Sequence, residues 1–163
     1  MFHRLDQLEA PLCRQLNRWA ETPVVNFFQL ASWLGNGPVW GVLLAGLVAY
    51  QPVIGIVLVG MTLLNAAIYR LLKGMTVRRR PFERWGMVQG ARALDEFSFP
   101  SGHTLHAVAL TTACWLTLPI LGVVLLPLAI AIALSRVVLG LHYPSDVLMG
   151  ALLGGVVAYS AVG

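Results

Sequence analysis

Residues 97–135 read FSFPSGHTLHAVALTTACWLTLPILGVVLLPLAIAIALS, with no Asp, Glu, Lys or Arg anywhere in the run. A helix needs about 20 apolar residues to cross a hydrocarbon core of about 30 Å. The run is close to twice that length, and Pro119 near its middle marks where it folds back. The stretch from Thr22 to Tyr69 is equally free of charge. Drawn out as one helix it would reach roughly 72 Å, so it too must fold back. Gly35-Asn36-Gly37-Pro38 and Gln51-Pro52 are its breakers. From Val137 to the end, Asp146 is the only charged residue.

Composition agrees with this reading. The 163 residues are 58% hydrophobic and 11% charged, with a mean hydropathy of +0.75. Ordinary soluble domains carry about 25% charged residues. The shortfall excludes a disordered chain, a coiled coil and a cytosolic globule, and leaves lipid as the solvent. Cys13 and Cys114 are too few for a disulfide framework. The expected fold is an all-α, polytopic membrane helix bundle of five to six transmembrane helices. Spans fall at 37–50, 53–72, 102–118, 120–140 and 146–162, and the short apolar piece 23–34 is a sixth span or a re-entrant segment. Small residues recur every fourth position at Gly41, Ala45 and Ala49, and again at Gly150, Gly154 and Ala158. Such stripes allow close helix contact in lipid, although these residues are common in membrane helices anyway.

Residues 1–22 read as a separate N-terminal amphipathic helix lying in the membrane interface. Leu5, Leu8, Leu12, Leu16 and Trp19 share one face at spacings of three and four. Residues 23–163 form the transmembrane domain. If 23–34 is a sixth span, this helix lies across the membrane from the basic loops.

Seven of the eleven basic residues lie between Arg70 and Arg92, whereas the turns near 51 and 119 carry none. Counting crossings brings the ends near 73–80, 100–103 and 136–146 to one membrane face. Ionisable groups beside lipid are costly and mark function. Lys73, Arg80 and Arg136 bring three cations there, two of them planar forks that match phosphate oxygens. Topology alone also accounts for cations on one side, and Arg136 suits a helix C-terminus. Pro100-Ser101-Gly102-His103 opens a helix whose free N–H groups favour an anion, with the Ser101 hydroxyl as a further donor. The same residues also make an ordinary helix start. His103 can exchange a proton near neutral pH. His142 and Asp146 stand four apart, so that a carboxylate can fix one imidazole nitrogen and free the other for attack. Asp146 also suits the first turn of a helix. Two histidines and an aspartate could ligate zinc, but three surrounding cations favour an anion, so no metal or other cofactor is expected. The basic run has few interleaved aromatics, and no soluble domain is left to dock a duplex, which argues against nucleic acid.

These residues fall into three motifs. Lys73 to Pro81 (KGMTVRRRP) is K-x6-R-P, Pro100 to His103 is P-S-G-H, and Ser135 to Asp146 (SRVVLGLHYPSD) is S-R-x5-H-x3-D. In this order and spacing, roughly over residues 25–162, the sequence resembles the type 2 phosphatidic acid phosphatase (PAP2) family, lipid phosphatases related to vanadium haloperoxidases. The resemblance implies a metal-independent hydrolase that removes a phosphate monoester or diphosphate from a lipid. Its substrate would be a polyprenyl diphosphate, phosphatidylglycerol phosphate, phosphatidic acid or a lipid A phosphate. It implies that His142 is the nucleophile and forms a phosphohistidine, that Asp146 orients it, and that His103 is the acid and base. Lys73, Arg80, Ser101, Gly102 and Arg136 would hold the phosphoryl oxygens. Partners would be the phosphorylated lipid and membrane lipids. Glu83, Arg84, Arg92, Asp95 and Glu96 could touch the head group or cap it. Alternatives are a lipid phosphotransferase using the same intermediate, a soluble-type haloperoxidase (disfavoured by the apolar spans), and a non-enzymatic membrane protein with a basic face. Arg70, Arg78, Arg79, Arg84 and Arg92 would by themselves place the site in the cytoplasm. The resemblance implies instead a bacterial inner-membrane protein with its site facing the periplasm.

Overall fold

The structure is a computed structural model that describes residues 2–163. It contains eight α-helices: α1 (His3–Asn17), α2 (Val25–Leu34), α3 (Gly37–Tyr50), α4 (Pro52–Met75), α5 (Pro81–Trp85), α6 (Gly102–Thr117), α7 (Pro119–Val138) and α8 (Pro144–Val162). Proline stands in the first turn of α3, α4, α5, α7 and α8. There its missing N–H costs nothing and its fixed φ suits a helix.

Two tight hairpins build the bundle, and they share one design. In α3–α4 the linking residue is Gln51, and in α6–α7 it is Leu118. Both have φ −137°, with ψ 71° and 73°. Each donates its N–H four residues back, to Leu47 O at 2.7 Å and to Cys114 O at 2.6 Å. A glycine follows three residues after the proline in both, Gly55 and Gly122. A Cβ on Gly55 would lie 2.5 Å from Val48 Cα, and one on Gly122 would lie 2.4 Å from Trp115 Cα. The P-x-x-G sequence therefore lets each returning helix press directly on its partner's backbone.

Helix α6 is central and packs on α4, α7 and α8. Its contact with α8 is backbone to backbone: Cβ atoms on Gly150 and Gly154 would lie 2.5 Å from Ser101 O and 2.3 Å from Leu105 O. The small-residue stripe on α8 is thus an interface, with Ala158 fully buried. The stripe on α3 is not: Gly41, Ala45 and Ala49 face outward. The main core joins Trp40, Leu44, Leu58, Met61, Leu110 and Ile132.

By length and apolarity α4, α7 and α8 can each cross a membrane, and α2 and α3, bent by 48° at their break, pass the same test only when taken together. Helix α2 alone, 10 residues long, rises only about 15 Å. It does not cross, and lies at the end of the bundle where α3 begins. Helix α6 has 16 residues and is enclosed by its neighbours. The protein is an integral membrane protein; against the expected five to six spans, three helices are long and apolar enough to cross by themselves, or four spans if α2 and α3 count as one.

Helix α1 lies at the same end as the start of α3, not opposite it. Its leucine stripe points outward, with Leu8 77% exposed, as a helix bathed by lipid on one side requires. The buried face carries Asp6, Ala10, Cys13 and Asn17. Asp6 and Glu9 pair with Arg78. Asn17 donates to Val88 O and Val138 O at 2.9 and 2.8 Å, and accepts from Val88 N at 2.8 Å.

The α6–α8 contact predicts an asymmetry between the two stripes. Gly154→Val forces a backbone shift costing about 1–3 kcal/mol, and lowers the thermal unfolding midpoint in detergent by several degrees. Gly41→Val, where nothing lies within 4 Å, leaves the midpoint unchanged.

Candidate active site

The short loop between α7 and α8 places the central histidine. Gly140 has φ +73°, a conformation that L side chains rarely adopt. A Cβ there would also lie 2.7 Å from Val88 O. This turn closes α7 so that Arg136 O accepts the N–H groups of both Leu141 (3.1 Å) and His142 (3.0 Å). The residue carrying one cation of the site thus holds the backbone of the histidine. Pro144 then opens α8, and Asp146 reaches back to accept the Tyr143 N–H at 2.8 Å. The other oxygen of Asp146 accepts Arg78 Nη1 at 2.5 Å.

Fixed in this way, Asp146 stands behind His142, with Oδ2 3.7 Å from Nδ1. That is longer than a hydrogen bond, and Nδ1 has no partner among the described residues. Sub-ångström closure would join them, and such bonds commonly tighten only in the reacting complex. On the far side of the ring, Nε2 lies 3.4 Å from Arg80 Nη1. A nitrogen facing a guanidinium donor is the unprotonated one. Burial, then Arg136, Arg80 and Lys73 in turn, push the His142 pKa well below the ordinary histidine value. The imidazole is therefore neutral at neutral pH and offers a lone pair.

The three cations arrive from different elements. Lys73 comes from the last turn of α4. Arg80 is extended before Pro81 (φ −73°, ψ 152°), as a residue preceding proline prefers. Its Nη1 donates to Leu141 O at 2.7 Å. Arg136, on the last turn of α7, is 2% exposed and donates Nη1 to Ser32 Oγ. Its Nε has no partner among the described residues, which leaves a buried N–H available to an incoming anion.

The P-S-G-H segment enters beside α8, with Ser101 N donating to Asp146 O at 3.0 Å. Ser101 Oγ is held by Thr104 Oγ1 at 2.9 Å. Gly102 makes room for the Tyr69 ring, since a Cβ would lie 2.8 Å from its Cε2. His103 bonds Asn36 Oδ1 through Nε2 at 3.0 Å. The predicted residues thus meet at one end of the bundle. A cavity of about 600 Å³ opens there, lined by Lys73, Gly102 and His103 and by residues 35–37, Tyr69 and Asp95.

Several participants escape the motif reading. Ser32 and Asn36, four apart across the end of α2, hold Arg136 and His103. They are two of the few polar residues in a largely apolar stretch that also holds Asn26 and Gln29, so the sequence does not single them out. Tyr69, one turn before Lys73, donates to Asp95. Arg78 is 1% exposed and ties Asp146 to α1 through Asp6 Oδ1 (2.9 Å) and Glu9 Oε2 (2.7 Å). Its guanidinium lies 4.0 Å from the Tyr143 ring. Burial alone would weaken its charge, but Asp146, Glu9 and Asp6 outweigh that and hold its pKa above the usual arginine value.

A neutral imidazole backed by a carboxylate and facing buried cations, at one end of a membrane-embedded helix bundle, defines a class: integral membrane proteins with an end site suited to an anion. Comparison with known proteins makes this specific. The sequence matches the PAP2 superfamily over residues 54–162, and the chain belongs to that family. It is 40% identical over 85 residues to decaprenylphosphoryl-5-phosphoribose phosphatase of Mycobacterium tuberculosis, covering 50% of this chain and 45% of that one. The chain thus spans about half the length of the curated relatives it matches. The fold superposes on the crystal structure of Aquifex aeolicus LpxE with a TM-score of 0.83 at 28% identity, covering 94% of each chain. A transmembrane PAP2-type phosphatidylglycerolphosphate phosphatase from Bacillus subtilis has the same fold, with a TM-score of 0.76 at 20% identity, covering 99% of this chain and 94% of that one.

The low pKa of His142 carries a stability signature. The unfolded chain binds this proton near pH 6.5, and the folded chain only at much lower pH. Stability is therefore full above about pH 6.5 and falls below it, by up to about 1.4 kcal/mol per pH unit for one group. His142→Gln removes that part of the slope, which shows as a flatter unfolding midpoint between pH 6.5 and 5 than in the wild type.

Proposed function

We propose that this protein is a metal-independent membrane lipid phosphatase that works through a phosphohistidine. The observation that carries the reading is the His142 lone pair, facing the Arg80 guanidinium with Asp146 behind the ring. In the proposed reaction Nε2 of His142 attacks phosphorus, and the bond from phosphorus to the lipid oxygen breaks. His103, which takes up a proton as the anionic head group enters, gives it to that oxygen. Asp146 holds Nδ1–H as the ring becomes cationic. Lys73, Arg80, Arg136 and the Gly102 amide stabilise the charge spread over the equatorial oxygens, a contribution worth about 10²–10³ in rate per donor. Ser101 joins them once its hydroxyl turns from Thr104. His103 then takes a proton from water, which attacks phosphorus, frees His142 and releases phosphate.

A phosphorylated lipid is the substrate class that suits a site at the end of a membrane bundle. The head group meets the cations while the tails stay in the bilayer. The names of the relatives point to a polyprenyl-linked phosphate, a lipid A 1-phosphate or a glycerophospholipid phosphate monoester, and all three chemistries present a terminal phosphate. We place the chain in a bacterial inner membrane with the site facing the periplasm. In support of that side, Arg78 and Arg84 are engaged by Asp6, Glu9 and Asp146, so these cations have a structural reason to be there that is independent of topology.

The test is phosphate release from a panel of lipid phosphates in maltoside detergent, with no added acceptor. His142→Ala and His103→Ala each lower kcat by at least about 10³. EDTA leaves the activity intact. Full activity in either variant overturns the mechanism, loss with EDTA restores a metal, and turnover that needs an acceptor lipid makes the protein a phosphotransferase. A cysteine introduced at Gln89 reacts with a membrane-impermeant maleimide in intact cells. Protection until the membrane is permeabilised places the site in the cytoplasm.

A further inference from the structure

The two cations assigned to the phosphoryl group already share an anion. Asp95 Oδ1 lies 2.8 Å from Lys73 Nζ and 2.5 Å from Arg80 Nη2, while Oδ2 accepts the Tyr69 hydroxyl. One carboxylate oxygen thus bridges an ammonium and a guanidinium, as an oxygen of a bound phosphoryl group would. The remaining partners of Arg80 on this side are backbone: Asp95 O at 3.3 and 3.1 Å and Phe97 O at 3.1 Å. Those carbonyls clamp the loop in place. The carboxylate is the one group that can leave by side-chain rotation, and it is 31% exposed at the cavity mouth while Lys73 and Arg80 are 10% and 1% exposed. Lys73, Tyr69 and Arg80 keep it ionised against the opposing effect of burial.

We propose that Asp95 determines specificity by standing in for the phosphate, so that a ligand must out-compete a carboxylate for Lys73 and Arg80. This rests on reading those two residues as the phosphate-holding pair. The consequence follows from charge. A phosphodiester head group bears a single negative charge and merely exchanges one monoanion for another. A terminal phosphate bears about −1.5 to −2 at pH 7 and gains from the exchange. A membrane surface is crowded with phosphodiesters, and buried cations without Asp95 would fill with them. Asp95 keeps the site for terminal phosphates.

The experiment reads binding, not turnover. The full chain in maltoside micelles is titrated with inorganic phosphate by calorimetry, with and without phosphatidylglycerol as competitor. A site closed nine-tenths of the time binds about tenfold more weakly than an open one. Asp95→Asn therefore binds phosphate about tenfold more tightly than the wild type, and phosphatidylglycerol, a poor competitor in the wild type, displaces phosphate in the variant. Tyr69→Phe takes one hydrogen bond from Asp95 and leaves both cations, and it moves both affinities the same way by a smaller factor. It carries the test if Asp95→Asn does not fold. Weaker or unchanged phosphate binding in these variants overturns the proposal and makes Asp95 a brace for the cations, as does equal competition by phosphatidylglycerol in wild type and variant. A wild type that binds phosphate but hydrolyses no lipid phosphate fails the phosphatase reading instead.

Discussion

Arg78 lies between three carboxylates, Asp6, Glu9 and Asp146, with almost no contact with water. A lone guanidinium in such a place would be prohibitive, and removing one partner of a buried ion pair typically costs about 3–5 kcal/mol. The cluster therefore has to be complete, and completeness dictates geometry. It draws α1 onto the end of the bundle, because Asp6 and Glu9 come from nowhere else. It fixes Asp146 from one side while the Tyr143 N–H fixes it from the other. The carboxylate behind His142 is thereby held between the Arg78 guanidinium and the Tyr143 N–H.

Close helix packing does the rest of the positioning. Apart from Arg80, which precedes α5, the motif residues lie at or between the ends of α4, α6, α7 and α8, so the site is only as precise as the relation among those helices. Gly150 and Gly154 bring the α8 backbone against α6, and Ser101 N reaches Asp146 O across that seam. Lipid gives no hydrophobic drive between helices, so contact of this kind is what holds them. The site end is then tied over by α2 and the turn after it, which bring Ser32 and Asn36 to Arg136 and His103.

The bundle and the identities of the motif residues were legible because they rest on local rules. Charge-free runs and prolines reveal folded-back helices, and crossing parity places Lys73, His103 and His142 at one end without any contact information. What escaped depends on partners remote in sequence. The leucine stripe of α1 was visible, but the burial of the opposite, polar face was not, because Asp6 looks like any surface acid until Arg78 is placed beside it. The stripes on α3 and α8 look alike in sequence, and only packing distinguishes the exposed Gly41 from the enclosed Gly154. Asp95 read as a loop residue near the head group, because nothing local shows that its carboxylate bridges two cations. P-x-x-G occurs three times in the sequence, at 38–41, 52–55 and 119–122, and only the dihedrals of Gln51 and Leu118 single out the last two as one kind of hairpin.

The hairpins also have unequal arms. Helices α3 and α6, of 14 and 16 residues, rise only about 21 and 24 Å, against hydrocarbon of about 30 Å. Helix α4, with 24 residues, has length to spare. Where α3 meets lipid, a bilayer of ordinary thickness must pinch inward or let the uncharged tip of that hairpin end inside the hydrocarbon, at a small cost for every ångström of mismatch. The bundle is therefore sensitive to acyl-chain length and will partition toward the thinnest patches of the membrane that holds it.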